Sequence, residues 1–388
     1  MIHADPHSVS TPASVTPSSS NPGAPSLYRP ALDGVRAVAF LMVFLVHAAG
    51  PAVDVWSSDS RLRAVLDLMV LGGSFGVPLF FVLSAFLVTH LLLAERGLTG
   101  TISVRDFIIR RSLRIWPLYY LLIGAFGVFY LLHRQMPGVY PLGPKALLAY
   151  SFFMGDFLHM VIPPTILGPL WSLSIEEKFY LVWPTALKRV SNSHLRLVAF
   201  GIITAGFLSR ILLSHSLKVF PYWVFPLNHL DSFGYGILLA TIPIRRVKIA
   251  TGWAILFLMV GFTFAYSFKD QLAGPDNMNN VGFNIALAIA ALVSAAFLYM
   301  VRGAESGILT SRPMRELGKR TYAAYVFHLI PVQLVIIFVP DRLSIIYLCA
   351  QVLAFGVTLV FAWSSYQWIE KPFLLLKHRF ERVVSRPI

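Results

Sequence analysis

The chain has 388 residues, of which 56% are hydrophobic and only 13% charged, and its mean hydropathy is +0.69. A soluble domain carries about 25% charged residues, so this composition excludes an ordinary soluble fold. The net charge is +14, but the basic residues fall in short loops between apolar runs, which is a positive-inside pattern and argues against nucleic acid as a partner.

Several apolar runs are long enough to cross a hydrocarbon core of about 30 Å. A transmembrane barrel would show alternating segments of about ten residues instead. The expected fold is therefore an all-α polytopic membrane protein embedded in the lipid bilayer. The single cysteine, Cys349, excludes an intrachain disulfide and a Cys-based metal site. No metal and no bound cofactor is expected.

Residues 1–28 are rich in Ser, Thr and Pro and poor in large apolar groups. Such a tail cannot bury enough surface to offset its ordering entropy, so disorder is expected. It has no basic n-region followed by an apolar h-region, so it does not read as a signal peptide. The first membrane helix is expected to direct insertion.

The apolar runs predict ten spans: 32–50, 73–94, 115–133, 168–187, 197–214, 229–243, 249–268, 281–301, 321–339 and 343–368. An eleventh run, 145–162, holds Asp156 and His159 and ends at Pro163–Pro164, which suits an interfacial or re-entrant segment. If it does not cross, the loops with Arg110, Arg111 and Arg114, with Lys188 and Arg189, with Arg245 and Arg246, and with Arg312, Arg315, Lys319 and Arg320 share one side. If it crosses, that asymmetry collapses. The charge pattern thus predicts ten spans with both termini cytoplasmic, and a basic cytoplasmic tail over 374–388. The expected location is the cytoplasmic (inner) membrane.

Ionisable residues inside a span cost about 3 kcal/mol each and usually face a protein interior or wet cavity. In the first span, Asp33 and Arg36 stand at one end and His47 at the other. Eleven helical residues bring Arg36 and His47 to within about 20° of one face, roughly 16 Å apart. A cation and a titratable base on one face suit a site, but two interfacial residues with Arg36 snorkelling fit as well.

In "LWSLSIEEKFYLVWP" (170–184), Glu176 and Glu177 point about 100° apart, so at most one can line a given cavity. In "RDFIIRRSLRIWPLYY" (105–120), Arg110, Arg111 and Arg114 form a basic cluster suited to phosphate, whether from a phosphorylated donor or from lipid headgroups. In "LGKRTYAAYVFHLIPV" (317–332), His328 is intramembrane, with Tyr325 one turn earlier.

Taken in order, these stretches resemble the acyltransferase 3 family of integral membrane O-acyltransferases. The first span shows its basic residue–ten residues–His pattern, here Arg36 and His47. "FFVLSAFLVTHLLL" (80–93) resembles its second helix. Arg111 and Arg114 form its R-x-x-R element. "LWSLSIEEKFYLVWP", "LGKRTYAAYVFH" and "SYQWIEKP" (365–372) resemble its later segments. The likeness covers about 29–373, the expected membrane domain. The second helix usually reads Ser-Gly-Phe, whereas here it is Ser84-Ala85-Phe86. A segment that often reads Arg-x-Asp is here His229-Leu230-Asp231, so a pair between those positions would depend on pH. The chain is expected to be the bare membrane unit, without the hydrolase-like domain that some members carry.

The resemblance implies transfer of an acyl group, expected to be acetyl, from acyl-coenzyme A to a hydroxyl of a sugar or glycoconjugate. His47 would act as base or acyl relay, and Glu176 could orient it. Arg36 could hold donor phosphates or polarise the thioester oxygen. Arg110, Arg111 and Arg114 would gather the polyanionic donor. Trp171 and Trp183 could line a sugar path. Asp33, Ser84, Glu177, Asp231, Tyr325 and His328 are further candidates. A proton-coupled transporter or flippase of a lipid-linked glycan or antibiotic would keep similar intramembrane charges, although no internal repeat is visible. A membrane receptor is the third reading, and no soluble sensory domain supports it.

Overall fold

The computed structural model describes residues 27–53, 61–133, 142–162, 166–216, 222–244, 250–271 and 281–383. The predicted disorder of the N-terminal tail falls almost wholly outside them, as do Pro163–Pro164, the end of the basic tail and the loop cations Arg245 and Arg246. Among the described residues all regular structure is helical.

Helices form at all ten predicted places. In chain order they are α1 (Pro30–Val53), α2 (Arg61–Gly72), α3 (Gly76–Thr99), α4 (Val104–His133), α5 (Pro144–Ser151), α6 (Gly155–Leu158), α7 (Leu170–Arg189) and α8 (Leu195–Ser216). There follow α9 (Leu230–Ala240), α10 (Thr251–Gln271), α11 (Val281–Val301), α12 (Arg312–Phe327), α13 (Leu329–Phe338), α14 (Ile345–Ser365) and α15 (Lys371–Lys377).

Among the described residues, seven helical stretches are long and apolar enough to cross a membrane, or eight if α12 and α13 make one bent span. Two predicted spans differ from this standard for physical reasons. The helix α7 carries Glu176, Glu177 and Lys178 in its middle. The helix α9 has only eleven residues, because a 3₁₀ turn over Pro226–His229 precedes it. Both are sheltered: α9 packs against α3, α8 and α11, and α7 against α3, α4 and α6. Run 145–162 forms two short helices, α5 and α6, joined through Phe153 at φ 54°. Lys178 ties this hairpin to α7, its Nζ donating to Asp156 Oδ1 (2.6 Å) and to the Phe153 carbonyl (2.8 Å).

The helix α1 is central. Phe40, Val43 and Phe44 enter one apolar cluster with α3, α4, α7 and α12. Leu32, Val35, Ala39 and Met42 enter a second with α3, α10 and α11. The outer helices reverse the soluble pattern. Leu121, Val128 and Leu131 of α4, Phe200, Phe207 and Leu212 of α8, and Ile345, Val352 and Leu353 of α14 are exposed. Large apolar faces turned outward from helices whose backbone bonds are internally satisfied belong to a multi-pass membrane protein.

Candidate active site

Two adjoining cavities lie along α1. The first, a chamber, is walled by Arg36 of α1, Ser84 of α3, Arg111 and Arg114 of α4, Ser172, Glu176 and Tyr180 of α7, and Tyr322 and Tyr325 of α12. The second, a vestibule, lies beside Tyr28, Asp33, His90 and Arg110. Arg36, Leu87, Arg111 and Arg114 line both, so these cations stand at the junction.

Local packing positions each group. The helix α12 crosses α1 so closely that a Cβ on Gly318 would overlap the Asp33 carbonyl. Asp33, buried at this crossing, accepts from Arg36 Nη1 (2.7 Å) and from the Tyr28 hydroxyl (3.0 Å), which fixes the Arg36 guanidinium at the cavity wall. Arg111 lies over the Tyr180 ring, 4.9 Å from its centroid. Tyr180 donates to Glu176 Oε2 (3.1 Å), and its oxygen is 2.5 Å from Ser84 Oγ. Ser172 Oγ meets the Tyr325 hydroxyl at 2.7 Å. Arg36, Arg111 and Arg114 thus face a single chamber carboxylate, Glu176. That excess of positive charge suits an anionic ligand.

Beyond Tyr325 the line continues to two histidines. Pro331 lacks an N–H for the Phe327 carbonyl, and α12 and α13 meet at His328 with a 50° bend. The buried His328 Nδ1 donates to the Tyr325 carbonyl (2.6 Å), and its Nε2 is 3.4 Å from His47 Nδ1. His47 Nδ1 is 2.8 Å from the Val43 carbonyl. A carbonyl only accepts, so each ring in its neutral form carries its proton on Nδ1. This leaves Nε2 of the half-buried His47 as its basic nitrogen.

The remaining candidates divide. Glu176 hydrogen-bonds Tyr180, whereas His47 is held by Val43 and His328. Glu177 faces away from the chamber and accepts from the Trp116 indole (3.3 Å) rather than pairing with a cation. Arg110 lines the vestibule, but it is buried against Glu95 (3.1 Å) and donates to the Phe380 carbonyl (2.6 Å). Asp231 lies outside both linings and pairs with Arg210 of α8 (2.7 Å). Asp231 thus takes its cation from another helix rather than from His229. His229 itself is held by the Trp223 carbonyl (2.7 Å). Trp171 and Trp183 are buried in packing, Trp183 donating to Thr89 (2.8 Å), and neither lines the chamber or the vestibule. No cluster of His, Cys, Asp or Glu suited to a metal occurs among the described residues.

A family profile described as an acyltransferase domain matches residues 29–367. The chain belongs to the acyltransferase 3 family. Within that family, it is 30% identical over 377 residues to the putative peptidoglycan O-acetyltransferase YrhL of Bacillus subtilis, covering 89% of this chain and 55% of the relative. It is 25% identical to the peptidoglycan O-acetyltransferase OatA of Listeria monocytogenes, covering 78% of this chain and 49% of that protein. A putative O-acetyltransferase of Staphylococcus aureus is also 25% identical, covering 89% of this chain and 57% of the relative. The chain therefore spans about half the length of the relatives it matches. No solved structure matches it.

Sequence reasoning missed several residues that this acyltransferase 3 member places in its chamber: Tyr180, Ser172, Tyr322 and Thr321. Tyr180 and Ser172 had one usable signal, one turn from Glu176 on α7. Tyr322 is likewise one turn from Tyr325 on α12.

Proposed function

We propose that this chain transfers an acyl group, acetyl in the first instance, from acyl-coenzyme A to a hydroxyl of a glycan. Peptidoglycan is the first acceptor to test, since two relatives bear that substrate in their names. The carrying observation is the junction of Arg36, Arg111 and Arg114, a cluster of cations with room for phosphates on both sides. Donor access from the cytoplasmic face of the inner membrane completes the reading.

His47 Nε2 takes the proton of the acceptor hydroxyl. The oxygen attacks the thioester carbonyl, the C–S bond breaks, and the thiolate leaves with that proton. In the relay version His47 Nε2 itself attacks, the C–S bond breaks and the thiolate leaves; the acceptor oxygen then takes the acyl group, and the freed imidazole takes the acceptor's proton and returns it to the thiolate. The unbroken helix between Arg36 and His47 separates them by roughly 16 Å. That distance supports Arg36 as a holder of donor phosphates rather than as a group on the reacting carbonyl. The pantetheine arm then bridges the interval, past Glu176 and Tyr325. His328, in contact with His47, takes the orienting part first expected of Glu176.

The test is thiol release from acetyl-coenzyme A in membranes carrying the chain, with and without peptidoglycan fragments. Acceptor-dependent release that disappears in His47→Ala supports the proposal. Release at background for the wild type would sink it and favour the transporter reading, which the bent α12–α13 pair also suits.

A further inference from the structure

We infer that Lys377 is a donor-binding residue, a cation that pairs with a phosphate at the nucleotide end of coenzyme A; this rests on the reading under Proposed function. Lys377 ends α15, ten residues beyond the family match at 29–367. A 3₁₀ turn over His378–Phe380 follows, and the chain folds back against the start of α4. Two contacts clamp it there. Arg110 donates to the Phe380 carbonyl (2.6 Å), and Arg382 Nη2 meets Asp106 Oδ2 at 2.9 Å. The clamp brings Lys377 into the vestibule wall, where its side chain is buried and its Nζ is 2.7 Å from Glu381.

The charge around this vestibule makes the case. Its lining holds Arg29, Arg36, Arg110, Arg111, Arg114 and Lys377, against one carboxylate, Asp33, already engaged by Arg36. Glu95 answers Arg110 and Glu381 answers Lys377 from outside the lining. The remaining excess calls for a ligand with several negative charges, as the phosphates of coenzyme A supply. Arg36, Arg111 and Arg114 serve both cavities, whereas Lys377 serves the vestibule alone. It therefore addresses the part of the donor farther from the thioester. A lysine suits this place: a compact charge with three donors accepts a phosphate in many orientations. Without donor, Glu381 keeps the buried ammonium paired. With donor, a phosphate replaces or joins that carboxylate.

The experiment measures coenzyme A binding to the full chain in lipid nanodiscs by calorimetry, with thermal unfolding as a check on folding. K377M is expected to weaken binding about tenfold, the loss of one charge-assisted contact, and K377R to retain most of it. E381Q separates ligation from the holding of the folded-back segment, because it breaks the same ion pair yet leaves the cation. Affinity kept or tightened in E381Q supports the inference. Equal weakening in E381Q and K377M overturns it, since the pair would then matter only for holding the segment. Wild-type binding with K377M unchanged also overturns it and leaves the parent reading standing. No binding to the wild type removes both.

Discussion

The two ends of α1 are built differently. At the Arg36 end the helix meets two cavities whose junction is cationic, and two of its three guanidiniums are steered by a neighbour: Asp33 holds Arg36, and the Tyr180 ring carries Arg111. At the His47 end no carboxylate among the described residues bonds either ring, and backbone carbonyls orient both His47 and His328. A charged end can bind strongly while contributing little to bond-making. A neutral end can supply a base while binding little. One rigid helix holds the two at a fixed separation, so a ligand engaged at one end is measured off against the other.

This contrast can be broken experimentally, and the largest effect is expected at the neutral end. His47→Ala should lower acyl transfer by at least about 10²-fold, the usual scale for losing a general base, with coenzyme A affinity unchanged in a direct binding measurement. Loss of affinity in that variant would merge the two ends into one site. Next, Arg111→Ala with Arg114→Ala should raise the donor KM on the order of tenfold per arginine and change kcat little, since hydrogen bonds to charged groups contribute about 1.5–3 kcal/mol. Steady-state kinetics at varied acetyl-coenzyme A checks this, and a kcat collapse with KM intact would place those arginines at the chemistry instead. Smaller still, Tyr180→Phe removes the hydroxyl between Ser84 and Glu176. It should cost about 1–3 kcal/mol through polar groups left unpaired, read as a lower midpoint in thermal unfolding with the His47 end unaffected.

The smallest effect lies outside both ends. Burial pushes the His159 ring down to about 4, while its Nε2 sits 2.9 Å from the Tyr150 hydroxyl. The unfolded ring binds its proton near pH 6.5 and the folded ring only near 4. Stability therefore falls as pH drops through that window, at no more than about 1.4 kcal/mol per pH unit, and the loss levels off below pH 4. Hydrogen exchange in residues 144–162 should rise between pH 7 and pH 5 in the wild type and respond less in His159→Gln. A pH-independent hairpin would remove the ring as the cause.

The Arg36–His47 face was legible because helical periodicity acts within one segment and needs no tertiary information. The division of Glu176 from Glu177 followed from the same rotation, and the chamber holds only the first of them. Partners across helices were not legible. Asp231 pairs with Arg210, a residue twenty-one positions away on another helix. Sequence allows Glu176 to orient His47, and the hydrogen bonds seen run from Tyr180 to Glu176 and between the His47 and His328 rings. Tyr180 and Tyr322 look in sequence like interfacial aromatics, because an apolar run does not record which of its sides turns to lipid. The short α9 also read as a span, since hydropathy registers burial in protein and burial in lipid alike.

The sequence by itself determined the helices, their amphipathic faces and the identity of the ionisable groups, because these depend on residues within a few turns of one another. Tertiary structure alone decided which of those groups meet. It joined Arg36, Arg111 and Arg114 at one junction, set His328 against His47, and folded Lys377 back into the vestibule. Contacts between helices depend on crossing geometry, such as the close approach at Gly318, and hydropathy along a single strand of residues carries no record of that.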